Sequence, residues 1–176
     1  MAWLFALRDF FSDILFLIAM ASIPSITKTS EATPPSLGER GEQLAVNYLI
    51  NKGYQIVVTN FKVPVGRNSK GVAVTGEIDI IAIDGKTLVF VEVKTRRSEE
   101  FTPVITAIDH RKQRQITRTS KVYRRIFNLM EMQCRFDVVT VLMPKGETPT
   151  VTLTKDFWSE KSFRKRRWRD EAWMCQ

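Results

Sequence analysis

Asp79, Glu92 and Lys94 are the residues of this chain whose types and spacing could do chemistry together. Asp79 lies in the run Glu77 to Ile83, and Glu92 and Lys94 lie in the run Thr87 to Lys94. The two runs flank Asp84-Gly85, a pair favoured in tight hairpin turns. A turn centred on that pair sets Ile83 opposite Lys86, Asp79 opposite Phe90 and Glu77 opposite Glu92. Side chains alternate along a strand, so Asp79, Glu92 and Lys94 fall on one face. Diagonal neighbours on a face stand about 7–8 Å apart at the backbone, near enough for two inward carboxylates to share a cation. Oxygen ligands suit Mg²⁺ or Mn²⁺, whereas zinc would recruit imidazole or thiolate partners that this stretch lacks.

The rest of the hairpin makes these charges conspicuous. Ile78, Ile80, Ala82, Val89, Val91 and Val93 fill the opposite face, while Ile81, Ile83, Leu88 and Phe90 fill the turn end of the acidic face. Both faces are therefore expected to be buried, as in a sheet covered by helices. Acids in such a strand must be paired, neutralised or metal-bound, because an unpaired buried charge is costly. A Glu-x-Lys strand alone also occurs as an exposed edge with a surface ion pair. Three charges converging by register inside an apolar hairpin argue instead for a site. Glu42 borders the apolar stripe of a preceding helix, from which it either reaches the cleft or simply favours the positive end of its own helix.

The elements that must position these residues are legible around them. Ser36 and Glu39 form a capping box, and Leu37, Leu44, Ala45, Tyr48 and Leu49 recur at helical spacing up to Gly53, predicting a helix over about 37–52. Tyr54 to Val63 reads as a strand. Pro64 to Thr75 breaks the pattern and is expected to be a loop; Gly66 and Gly71 have the spacing of a phosphate loop, but Val72 stands where lysine is required. Asp109 to Leu129 predicts an amphipathic helix, and Phe136 to Met143 a further strand. The order helix, strand, hairpin, helix, strand defines an α/β domain over 37–145, with an extension over 1–36 and a basic aromatic tail over 146–176.

The chain of 176 residues is 44% hydrophobic, which suits one domain with a core. Its 27 Lys and Arg against 19 Asp and Glu give +8, pointing to polyanionic partners. That charge concentrates in the second helix and in the tail. On the helix, Arg111, Arg114, Arg118, Lys121, Arg124 and Arg125 offer a grip on phosphates, with Arg114 and Arg118 as named candidates. Lys112 sits four residues before Ile116 on the sheet-facing stripe, and either points at the cleft or snorkels from the helix end. Thr95, Arg96 and Arg97 follow the site directly as phosphate contacts or as a solvated basic turn. The tail from Phe163 to Arg169 mixes cations and aromatics as single-strand binders do, or serves as a solubilising segment.

Two cysteines in no metal or disulfide pattern fit a reducing cytoplasm, and a lone histidine excludes His-based metal clusters and a Ser-His-Asp triad. The apolar run Ile14 to Ala21 falls short of the ~20 residues of a membrane span. A secretory signal would want a basic start, whereas here Arg8 is followed at once by Asp9.

Asp79 followed by Glu92-Val93-Lys94 resembles the PD-(D/E)xK signature of restriction-endonuclease-like nucleases. Gly38-Glu39-Arg40-Gly41-Glu42, Gly76 to Ile81, Phe90 to Arg96 and Arg135-Phe136-Asp137-Val138-Val139 are together similar to the YraN-like family of uncharacterised bacterial proteins, itself similar to archaeal Holliday-junction resolvases. The resemblance spans about residues 38–142 and departs at Ile78, which replaces the proline of the signature. It implies a restriction-endonuclease-like three-layer core, a central mixed sheet with helices on both faces. It also implies that Asp79 and Glu92 hold a metal ion, that Lys94 assists the attacking water and that Glu42 joins them. A Mg²⁺- or Mn²⁺-dependent endonuclease acting on branched DNA follows, as a homodimer by analogy. The alternative is a non-catalytic nucleic-acid-binding module on the same fold.

Overall fold

The computed structural model describes residues 34–98 and 108–163. The expectations for the extension before Pro34 and for the basic tail beyond Phe163 lie outside them. Helix α1 spans Leu37–Asn51, opened by the anticipated capping box: Glu39 N donates to Ser36 Oγ (3.2 Å) and Ser36 N donates to Glu39 Oε2 (2.7 Å). That reciprocal bond lowers the Glu39 pKa. Strands β1 (Gln55–Arg67), β2 (Ala73–Asp84) and β3 (Thr87–Arg96) follow, then helix α2 (His110–Ile126), strands β4 (Cys134–Leu142) and β5 (Thr150–Trp158), and a short 3-10 turn at Glu160–Phe163.

The strands form one mixed sheet in the order β1-β2-β3-β4-β5. Only the β3–β4 pair is parallel, and α2 is the crossover that a parallel pair requires. On one face, Ala45 and Leu49 of α1 pack with Ile80, Ala82, Val89, Val91, Val93 and Val139. On the other, Tyr123 of α2 meets Phe61 and Phe90 edge-on, and Phe90, Phe136 and Trp158 stack in a row. Helices on both faces of a mixed sheet make the expected three-layer α/β core.

Three sequence expectations need correction. The 64–75 segment is not a loop: β1 runs on to Arg67, and a tight connection returns the chain into β2 at Ala73. Asn68 closes that connection by accepting from Lys70 N (2.9 Å) and Val72 N (3.0 Å). Pro64 is tolerated because β1 is an edge strand and its register is irregular between Pro64 and Gly66. Second, the β2–β3 turn is one residue further on. Asp84 pairs with Thr87 and Ile81 with Phe90, because Gly85, at φ 63, supplies the positive φ at the first turn position. Moving both partners by one keeps the parity, so the faces stand. Third, the segment assigned to the tail contains β5, whose Val151 and Leu153 pack on the α1 side and whose Trp158 is buried, donating through Nε1 to Thr117 Oγ1 (3.0 Å).

A polar network pins the turn end of the sheet on the α1 side. Arg135 donates to Asp84 Oδ2 (2.7 Å), to both oxygens of the buried Asp137 (2.8 and 2.9 Å) and to Tyr54 Oη (3.0 Å), and Lys155 Nζ donates to Asp84 Oδ2 (2.9 Å). The hydrogen bonds from Arg135 and then Lys155 hold the Asp84 carboxyl down at about 2, against 3.8 ordinarily. A lowered carboxyl stabilises the fold above its unfolded value and stops doing so as pH falls through its folded one. Stability should therefore drop between about pH 4 and pH 2 by about 1 kcal/mol after allowance for solvent screening, and Asp84→Asn should remove that part of the acid slope in urea melts.

Helix α1 comes so close to β3 that a Cβ at Gly41 would stand 2.8 Å from Thr95 Cβ and nearer still to its hydroxyl. Gly41→Ala should cost about 1–3 kcal/mol, and Thr95→Ala in the same chain should restore only part of it, because the Thr95 Cβ remains in contact. Denaturant unfolding of the two single variants and the double variant reads this coupling.

Candidate functional site

Asp79 and Glu92 stand where β2 and β3 part. The paired register of these strands runs from Asp84↔Thr87 to Ile80↔Val91; nearer its start β2 pairs with β1, and beyond Val91 β3 continues beside β4 to Arg96↔Leu142. Asp79 bridges the opening, its Oδ2 accepting from Val93 N at 2.7 Å in place of a further ladder bond. Glu77 does not face Glu92 as the sequence register had it; it pairs with Lys62 of β1 at 3.1 Å.

Glu92 lies deep, 1% exposed, on the face covered by α2. Lys94 Nζ stands 3.2 Å from its Oε1 and Lys112 Nζ 3.1 Å from its Oε2. The two lysine side chains are 31% and 30% exposed, so the ammonium groups reach in from the mouth of the site toward a buried carboxylate. Each lysine thus meets one oxygen of the same carboxylate as a close ion pair. Burial pushes the Glu92 carboxyl up to about 7, helped by the nearby Asp79 charge and opposed by Lys112 and Lys94. Burial works against the Lys112 ammonium, yet Glu92 and Asp79 outweigh it and raise the Lys112 pKa.

Two carboxylates at one opening, one of them buried, suit a hard cation. Among the described residues no group of three His, Cys, Asp or Glu side chains comes together, so an ion here would have two side-chain ligands, Asp79 and Glu92, with water, substrate or backbone oxygens completing its shell. Mg²⁺ and Mn²⁺ accept such a shell and zinc fits it poorly. Glu42 is the correction. It belongs to α1, on the opposite face of the sheet, and its half-buried side chain lines a cavity of about 620 Å³ with Thr59 and Asn60.

The basic candidates divide as well. Thr95 is half-buried and packs under Gly41 on the α1 side. Arg96 is half-buried, its carbonyl accepting from Met143 N (2.8 Å). Arg97 is exposed and lines a cavity of about 330 Å³ with Arg40 and Lys145. Arg114 is exposed over the Phe163 ring, and exposed Arg118 lies against Gly66 of β1. Arg124 leaves the expected grip altogether: it is buried, donating to Leu129 O (3.3 Å), Met130 O and Glu160 Oε2 (3.2 Å), and Lys121 also pairs with Glu160 (3.1 Å). Sequence reasoning left Lys112 either at the cleft or snorkelling from the helix end, and did not foresee its pairing with Glu92. It also missed the buried Arg135–Asp137 pair, for which two charges in an apolar strand were the available signal.

Fold and site together define a three-layer α/β protein of restriction-endonuclease-like architecture, with an Asp-Glu-Lys cluster around the buried Glu92 where its central strands diverge. Residues 41–141 match the uncharacterised protein family UPF0102, the YraN-like family, and the chain belongs to it. Its relatives include the UPF0102 proteins of Geotalea uraniireducens, 42% identical over 69% of this chain and 87% of that protein, and of Chlorobium limicola, 43% identical over 62% and 77%. That of Trichlorobacter lovleyi is 38% identical over 73% and 91%. The solved structure of SSO0001 aligns with 18% identity over 72% of this chain and 54% of its own at a TM-score of 0.35, a likeness too slight to bear on the site. Among the described residues no helix is long and apolar enough to cross a membrane.

Because Asp79 carries the Val93 amide, Asp79→Ala should destabilise the metal-free protein by about 1–3 kcal/mol while Asp79→Asn, which keeps an acceptor, loses less. Urea midpoints of the two variants against the parent check this order.

Proposed function

We propose that this protein is a Mg²⁺- or Mn²⁺-dependent endonuclease that hydrolyses phosphodiester bonds in structured or branched DNA. The observation that carries the reading is the buried Glu92 carboxylate, placed next to Asp79 with two ammonium groups at its mouth. An apolar sheet has no structural need for such a cluster.

Asp79 and Glu92 would hold the ion, which when bound supplies Lewis acidity toward a phosphodiester oxygen and a more acidic water. The anchored Asp79 carboxylate and the buried Glu92 carboxylate fix the position of the reacting phosphate. Lys94, two residues along β3 from Glu92, orients the attacking water and offsets the charge that develops on the phosphoryl oxygens. The water oxygen bonds to phosphorus as the bond to the 3′ oxygen breaks, giving a 5′-phosphate and a 3′-hydroxyl. Exposed Arg97, Arg114 and Arg118 supply a sequence-independent hold on the backbone, whose strength falls steeply with salt.

One observation favours a second reading. Both Glu92 oxygens already face lysines and, among the described residues, no third acid joins them, an arrangement that also suits a nucleic-acid-binding module without catalysis. Four-way junctions, flaps and single strands incubated with the full chain and either ion discriminate the two. Cleavage that falls by about 100-fold or more in Asp79→Asn, Glu92→Gln and Lys94→Ala, with the melting transition retained, supports the enzyme. Salt-sensitive binding indifferent to chelator, without cleavage of any substrate, supports the binding module.

A further inference from the structure

We infer that Lys112 is an internal countercation, occupying the Asp79/Glu92 pair until a divalent ion displaces it and a nucleic-acid phosphate receives it, so that metal and nucleic acid bind cooperatively. The inference rests on the metal-dependent reading above and adds to it the regulation of the same site.

The placement of Lys112 is unfavourable except as a partner for these acids. Its backbone is fixed in the first turn of α2, where Lys112 N donates to the capping Asp109 Oδ1 at 2.8 Å. A cation in a first turn opposes the helix dipole, and this one is also half-buried. What offsets both costs is Glu92, 3.1 Å away, with Asp79 behind it. Lys94 faces the other Glu92 oxygen at 3.2 Å, so two ammonium groups stand against the two acids.

A divalent ion on Glu92 would sit about 2.0–2.6 Å from its oxygen, within a few ångströms of the Lys112 ammonium. Like charges that close repel strongly in a site so little hydrated. One ammonium must therefore give way. Lys94 shares β3 with Glu92, and the strand sets their separation. Lys112 comes from another element, has a flexible four-carbon stem and is 30% exposed, so its ammonium can swing to solvent when the ion pair with Glu92 is broken. Once released at the mouth of the site, its charge is available to a phosphate oxygen. Each ligand then improves the site for the other, and the coupling is reciprocal by linkage.

Mn²⁺ titration of the full chain by calorimetry tests this directly. The parent, Lys112→Met, Lys112→Gln and Asp79→Asn are compared with and without a phosphorothioate oligonucleotide, which resists hydrolysis. Both Lys112 variants should bind Mn²⁺ more tightly than the parent by about 5- to 150-fold, the usual span of such couplings. The oligonucleotide should tighten Mn²⁺ binding to the parent by a similar factor and leave the Lys112 variants nearly unchanged. Lys112→Gln is one atom shorter but keeps an uncharged donor on the side of Glu92, so it answers the question where the methionine variant fails to fold. Melting temperatures give the same reading, with a larger Mn²⁺-induced rise in the variant than in the parent.

Equal Mn²⁺ affinity in parent and Lys112 variants, with binding lost in Asp79→Asn, overturns the role of Lys112 and leaves the metal site standing. No Mn²⁺ binding by any of the chains, or binding unaffected by Asp79→Asn, overturns both. Oligonucleotide-induced tightening that persists in the Lys112 variants assigns the coupling to another group and also overturns the inference.

Discussion

One carboxylate buried in an apolar sheet sets terms for the rest of this molecule. A charge at the depth of Glu92 is tolerated only where other charges reach it, and they do so because β2 and β3 separate at that point. The separation opens space at the sheet centre, Asp79 ties its edge through the Val93 amide, and lysines from β3 and α2 lean in from solvent. The geometry of the opening follows from register: β3 must leave β2 to continue beside β4, and the residue at the fork is the acid.

The two layers of helix divide the labour. The α1 face is structural, with its close glycine contact at Thr95, its aliphatic core and the Tyr54–Arg135–Asp137–Asp84 network at the turn end. The α2 face carries an aromatic row at one end and the charged cluster at the other. Helix α2 therefore has two unlike tasks. Ile116 and Tyr123 bury against the sheet while Lys112, on the same stripe one turn earlier, meets Glu92.

The core of this arrangement was legible in the sequence because strand alternation is insensitive to the error made in placing the turn. Displacing both partners by one residue kept Asp79, Glu92 and Lys94 on one face, although Glu77 was matched with the wrong neighbour. The side of the sheet on which Glu42 lies was not legible, because proximity in sequence or motif does not say which side of the sheet a helix covers. Strand β5 was overlooked because cations near it drew the eye from the alternation of Val151 and Leu153, and without β5 there was no Glu160 to explain why Arg124 is buried. Local pattern carried elements and faces; what it lacked was the long-range return of the chain.

Both rims of the sheet are also shaped in a way that bears on how copies of the protein behave in a crowded solution. On β1, Asn60 has a left-handed backbone, Pro64 lacks a donor and the register slips before Gly66; on β5, Asp156 is left-handed where the pairing slips beside Phe136. Neither rim offers a long, straight ladder of free amides and carbonyls to a foreign strand. The chain can hold a sheet of strongly β-forming segments, including the run from Ile78 to Ile83, without inviting runaway strand-on-strand polymerisation.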